Sequence, residues 1–314
     1  MISRRLIRIK VLQVLYAYSK KNEGYSSNVA EKELFHSIDK FYDLYHLLLL
    51  LILEMADLEE KRIELRRNKK IQTSEDLFPS TKFVDNKVIR NIRLIEALYD
   101  YKNARKLNWK IHEDTLKRIY NDFISTEQYQ NYINSDTDSF VSDKEFLNNF
   151  YSEFLAENIN FSEFLEEENI YWNDDAGFAI IMVIKTIENI KENGKPGKLM
   201  PLFKNDDDKE YTKKLIRKAI VDQKEYIKLI EKHTQNWDTE RIAHVDLLIL
   251  QLAITELLEF PSIPVKVTMN EFIEISKYYS TERSKVFING VLDKIVKDFE
   301  SDKRLNKTGR GLIG

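Results

Sequence analysis

Cysteine is absent from the chain, which excludes disulfides, thiolate zinc sites and cysteine nucleophiles. Glycine and proline are scarce, 8 and 5 among 314 residues, against roughly 12% for the two together in average proteins. Sandwiches, barrels and doubly wound folds need a turn every ten residues or so, and those turns draw on these two residues. The punctuation for such folds is missing. Long apolar runs are missing too. The run Leu47 to Leu53 ends at Glu54, far short of the ~20 residues that span a bilayer as a helix. The opening segment carries charge on alternating helical faces and no small-residue cleavage site, so no signal peptide is expected and a cytoplasmic protein is the default. What the chain does contain is 32% charged and 43% apolar residues. That mixture suits helices with one buried stripe and one solvated face, in enough length to fill a core. An all-α fold is expected, with two or three domains or one domain carrying a large insertion.

The net charge of −3 conceals an uneven distribution. Residues 1–21 hold six cations and no acid, and residues 303–314 hold four cations and no acid, leaving −13 for the rest. Residues 153–175 alone carry eight acids and no Lys or Arg. Basic ends on an acidic body suit a local polyanion contact better than a uniformly basic nucleic-acid coat. They also suit a purely solubilising role.

Helical spacing is clear over 3–19, where Leu6, Ile9, Leu12 and Tyr16 share one side with Ile7, Val11, Val14, Leu15 and Tyr18 beside them. Arg4, Arg5 and Arg8 are spaced i,i+3 and i,i+4, which predicts one exposed strip of guanidiniums. A loop is predicted at 22–27, then a long helix over about 30–70 ending in the basic Lys61–Lys70 segment, and a break at 72–80. Further helices are predicted near 85–107, 112–130, 143–158, 160–171 and 175–192. Asn193 to Gly197 reads as the clearest loop, continued by Asp206 to Asp208. Beyond it, 210–234, 238–259, 268–279 and 283–299 keep the helical period, with Thr268 and Glu271 spaced as a capping box. Asn289-Gly290 has the composition of a hairpin turn, but its flanks stay helical; the glycine predicts close approach of a neighbouring helix or a ligand.

Signals for catalysis are weak. The tail Gly309-Arg310-Gly311-Leu312-Ile313-Gly314 fits G-x-G-x-x-G, yet that motif works only between a strand and the helix it opens. Glu33-x-x-His36 and Asp43-x-x-His46 have the spacing of di-metal carboxylate ligands. In a bundle, however, such pairs come from facing helices. These lie about 15 Å apart along one predicted helix. No metal, cofactor or catalytic residue is expected.

The segment Arg241-Ile-Ala-His-Val-Asp246-Leu-Leu-Ile-Leu-Gln-Leu-Ala-Ile-Thr-Glu256-Leu, followed by Ile263-Pro264-Val265, Asn270-Glu271-Phe-Ile-Glu274-Ile-Ser-Lys277 and Ser284-Lys-Val-Phe287-Ile-Asn289-Gly290-Val-Leu-Asp293-Lys294, resembles the C-terminal half of the NusB family of bacterial transcription antitermination factors. Arg4-Arg5-Leu-Ile-Arg8 and Val-Leu-Gln13-Val-Leu-Tyr16-Ala-Tyr18 resemble that family's arginine-rich first helix, with Leu6 standing in the arginine run. The resemblance covers residues 3–20 and 211–299, about a third of the chain.

It implies NusB-like helical bundles and a division into 1–22 (arginine-rich helix), 30–200 (an added helical insertion), 210–300 (C-terminal core) and 301–314 (basic flexible tail). It further implies no catalysis, and binding of boxA-type RNA together with the small-subunit ribosomal protein that acts as NusE. The complex would join the RNA polymerase antitermination complex and support ribosomal RNA transcription. The implied RNA-binding residues are Arg4, Arg5, Arg8, Lys285 and Phe287; the implied partner-facing residues are Tyr16, Glu240 and Asp246. Phe287 and Tyr16 read equally as core residues. The same module heads certain ribosomal RNA cytosine methyltransferases, but those attack with cysteine, which is lacking here. Leu6 and the acidic 153–175 stretch support a second reading, a protein–protein adaptor that works through the insertion while RNA contact is vestigial.

Overall fold

Scarce breakers give long helices, and the computed structural model is all-α, with no strand among the described residues, which are 1–20, 26–234 and 243–308. The helices are α1 (Arg4–Ser19), α2 (Ser27–Arg67), α3 (Ser74–Leu77), α4 (Lys87–Arg93), α5 (Glu96–Arg105), α6 (Glu113–Ile124), α7 (Glu127–Asn134), α8 (Phe140–Asn149), α9 (Ile159–Glu168), α10 (Ala176–Asn189), α11 (Asp206–Val221), α12 (Gln223–Thr234), α13 (His244–Glu259), α14 (Val265–Tyr279) and α15 (Ser284–Ser301). A short π-helical stretch, Phe150–Leu155, prolongs α8. The chain divides into two compact units, one of Met1–Ile2 with Asp39–Leu202, the other of Ser3–Ile38 with Phe203–Gly314.

The first unit is built on α2. Leu47 to Leu53 are all buried, so this helix is apolar around its whole circumference, as a central helix must be. Aromatic donors anchor it from outside: Trp109 Nε1 donates to Leu47 O at 2.9 Å and Tyr151 OH to Leu48 O at 2.8 Å. Phe83, Phe123, Phe146 and Phe150 pack edge-on and tilted against one another, a geometry aromatic quadrupoles favour. His46 is buried, donates from Nδ1 to Tyr42 O (2.7 Å) and stacks on Tyr101 at 3.7 Å; His36 is exposed. Among the described residues no group of three or more metal-ligating side chains is assembled.

The second unit is built on α13, in which Leu248 to Leu257 are buried without interruption. α1, α11, α12, α14 and α15 surround it. Two of its buried polar side chains donate to carbonyl oxygens, Gln251 Nε2 to Ala219 O at 2.7 Å and Thr255 Oγ1 to Gln251 O at 2.8 Å.

Several boundaries differ from expectation. Asp206 to Asp208 are not loop but the first turn of α11, where their carboxylates complement the helix's positive end and Asn205 caps it. The predicted helix 210–234 is two helices broken at Asp222, whose N–H returns to Lys218 O at 3.0 Å while its own carbonyl receives Glu225 N. No breaker residue marks that corner. Thr268 does not cap α14: the helix already begins at Val265 behind Pro264, and the threonine hydroxyl points to Glu256 instead.

Gly290 sits inside α15, and a Cβ there would meet nothing within 4 Å. The close approach expected of a neighbouring helix is therefore not made. With no steric opposition, Gly290→Ala is expected to raise the midpoint of urea unfolding, by about 1 kcal/mol from helix propensity. Destabilisation would show that the α15 backbone needs the glycine.

Candidate nucleic-acid interface

The opening turn of α1 contains two cations and no acid, and Ser3 Oγ caps it by accepting from Leu6 N at 3.1 Å. Arg4 Nε donates to Asp208 Oδ1 at 2.9 Å, and its guanidinium lies 5.1 Å from the centre of the Tyr211 ring. Arg5 grips Glu271 of α14 with two hydrogen bonds of 2.9 and 2.8 Å. Both arginines keep over two-fifths of their side chains in solvent, 41% and 44%.

Arg8 departs from the expected exposed strip. Its side chain is 3% exposed, donating to Glu256 through Nε at 2.7 Å and Nη2 at 2.9 Å, with Nη1 3.5 Å from Glu271. From Leu6 to Leu12 every residue of α1 is buried, because α1 packs on both α11 and α13. The i,i+4 relation to Arg4 thus carries Arg8 into the core. Glu256 is fully buried and also accepts from Tyr211 OH and, at 2.8 Å, from Thr268 Oγ1. Burial alone would weaken the Arg8 charge; the Tyr211 and Glu256 oxygens outweigh it and hold the guanidinium firmly protonated. The sequence reading missed this network. A single carboxylate inside the apolar run Leu247–Leu258 was the available signal, since a buried charge demands a partner.

Further along α14, Glu274 accepts from Lys277. That bond chiefly holds the Glu274 carboxyl below its usual range against the opposing effect of burial, with the charges of Lys277, Arg5 and Lys285 adding to it. One carboxylate therefore feels cations from the first turn of α1 and the first turn of α15. Lys285 is exposed, while Phe287 is 7% exposed and belongs to the core. α15 begins without a side-chain cap; its first residue, Ser284, is buried and donates its N–H to Thr281 O at 2.9 Å.

Tyr16 is 40% exposed, 5.7 Å from the His244 ring, and lines a depression of about 280 Å³ with Leu12, Gln13, Val245 and Tyr279. His244 accepts or donates at Ser19 Oγ (2.7 Å), and burial followed by the Lys20 charge lowers its pKa. Asp246 follows Val245 of this depression in sequence but is buried, 4% exposed, and its buried Oδ1 has no hydrogen-bond partner among the described residues. Glu240 lies outside the described residues.

Parts of the other basic segments are engaged by neighbouring groups. Arg66 and Lys69 pair with Asp76 at 2.9 and 3.0 Å. In the tail, Lys307 donates to Phe260 O at 3.0 Å and to Glu256 O at 3.3 Å; burial pushes its pKa down to about 8, with Glu256 opposing. Among the described residues no helix is long and apolar enough to cross a membrane.

The fold and site define an all-α protein whose exposed cations gather where the openings of two helices meet a third. Comparison with known proteins is specific. The NusB family model matches residues 179–297, starting upstream of the segment read from sequence. The "Transcription antitermination protein NusB" of Salinibacter ruber is 46% identical over 115 residues, 37% of this chain and 72% of that protein. Proteins of the same name from Chloroherpeton thalassium (39% over 105 residues, 33% of this chain, 50% of theirs) and Acetivibrio thermocellus (43% over 93, 30% and 64%) also match. No solved structure matches. The chain belongs to the NusB family.

Proposed function

We propose that this chain acts in transcription antitermination, binding boxA-type single-stranded RNA together with the small-subunit ribosomal protein acting as NusE, within the RNA polymerase antitermination complex on ribosomal RNA operons. It works by binding, and no residue is assigned a catalytic role. The observation that supports the RNA reading is the shared electrostatic neighbourhood of Arg5 and Lys285 around Glu274, with Arg4 beside it on α1. Phosphates of an unpaired strand would exchange with Asp208 and Glu271 for Arg4 and Arg5. The exposed Arg5–Glu271 pair contributes only about 0–1 kcal/mol, so that exchange is inexpensive there, whereas the Arg4–Asp208 pair is part-buried. Arg8 positions α1 on α13 and is not offered to RNA. Lys285, exposed in the first turn of α15, would meet a phosphate. The segment 30–200 is proposed as the added helical insertion between 1–22 and 210–300.

The depression at Tyr16, whose ring is 40% exposed, supports a partner site for the ribosomal protein, while Asp246 is buried and is not offered to it. A 12-nucleotide boxA RNA should bind more tightly in fluorescence anisotropy when the ribosomal partner is present; equal affinity with and without it would remove the joint-binding reading. Tyr16→Ala should weaken partner binding by roughly tenfold or more, the loss of an exposed aromatic contact, while leaving unfolding almost unchanged. An unaffected partner affinity would take Tyr16 out of the interface.

A further inference from the structure

RNA proteins that read unpaired strands combine phosphate-facing cations with an aromatic face on which a base stacks. The cations are present on α1, α14 and α15, but Phe287, the aromatic expected to serve, is 7% exposed and packed into the core. Another ring stands in the open. Tyr278 in the last turn of α14 is 81% exposed. It lies four residues beyond Glu274, hence on the same helix face one turn on. Its neighbour Lys277 is the lysine bonded to Glu274, and Glu274 is the carboxylate that also feels Arg5 and Lys285. Only a short turn separates the ring from α15, closed by Ser280 and Thr281 hydroxyls each 2.9 Å from Ser284 Oγ. Beyond that turn Val286 is 70% exposed. The next residue on α14, Tyr279, lines the Tyr16 depression instead, so the two tyrosines serve different faces.

We infer that Tyr278 is a base-stacking platform for single-stranded RNA, with Lys277 and Lys285 holding the flanking phosphates. This rests on the RNA reading above and adds to it the residue that recognises a base rather than a charge. A tyrosine offers a broad rigid face with few torsions to fix, and an exposed position lets a base approach without displacing core packing.

The test uses the full chain and two labelled 12-nucleotide RNAs of one length, one intact and one with abasic sites replacing its central bases. Wild type should prefer the intact strand. Tyr278→Ala should bind it about 5- to 150-fold more weakly, the range expected for one stacked base, with an unchanged slope of affinity against salt and no remaining preference over the abasic strand. Tyr278→Trp should retain both affinity and preference. Wild type binding RNA while Tyr278→Ala stays within twofold, or still discriminates against the abasic strand, overturns the stacking assignment alone. Wild type failing to bind either RNA overturns the RNA reading and this inference with it.

Discussion

Glu256→Ala should destabilise the chain by about 3–5 kcal/mol, the penalty for leaving one member of a buried ion pair without its partner. Arg8 is 3% exposed and cannot regain water without opening the α1–α13 contact. Two further donors, Tyr211 OH and Thr268 Oγ1, lose their acceptor at the same time. The pair itself contributes little net stability, because desolvating both ions offsets their attraction. Combining Arg8→Met with Glu256→Leu should therefore recover the part due to the unpaired charge, while the Tyr211 and Thr268 hydroxyls stay without their acceptor. Urea unfolding of the single and double variants measures this directly. A Glu256→Ala chain within 1 kcal/mol of wild type would show that the carboxylate is dispensable, and a double variant as unstable as the single would show that packing, not charge, is at stake.

The contrast among the three arginines explains what sequence could and could not reveal. Helix class followed from scarce glycine and proline. Helix periodicity places Arg4 and Arg8 on one side of α1, but it does not say which neighbours cover that side. The answer depends on α11 and α13, some two hundred residues away in the chain. Leu6 within the arginine run reads as a gap in a basic strip, whereas in the structure it is fully buried and continues the packed face.

Corners without breakers were equally hidden. The chain turns at Asp222 between two good helical segments, and only backbone hydrogen bonds among local residues record it. Gly290 misled in the other direction. Its intrinsic helix penalty suggested a close neighbour, yet the space beside it is open. Among the candidate site residues, Lys285 and Tyr16 are exposed, and Phe287 is not. A ring at helical spacing within Ser284–Phe299 could face either way, and its neighbour Ile288 on the same helix is buried as well.

The central claim is that the exposed cations of α1 meet RNA phosphates while the buried one does not. The variant Arg4→Ala/Arg5→Ala removes one exposed and one part-buried ion pair, so its fold should persist within about 2 kcal/mol. The affinity of the full chain for a short single-stranded RNA, measured between 50 and 300 mM salt, should then fall less steeply than in wild type. About 0.7 is lost from the log–log slope for each phosphate contact removed, hence roughly 1.4 for both arginines. A slope reduced by that amount, with affinity at low salt weakened tenfold or more, is the predicted result. A slope identical to wild type would mean that the opening helix of this protein does not touch RNA.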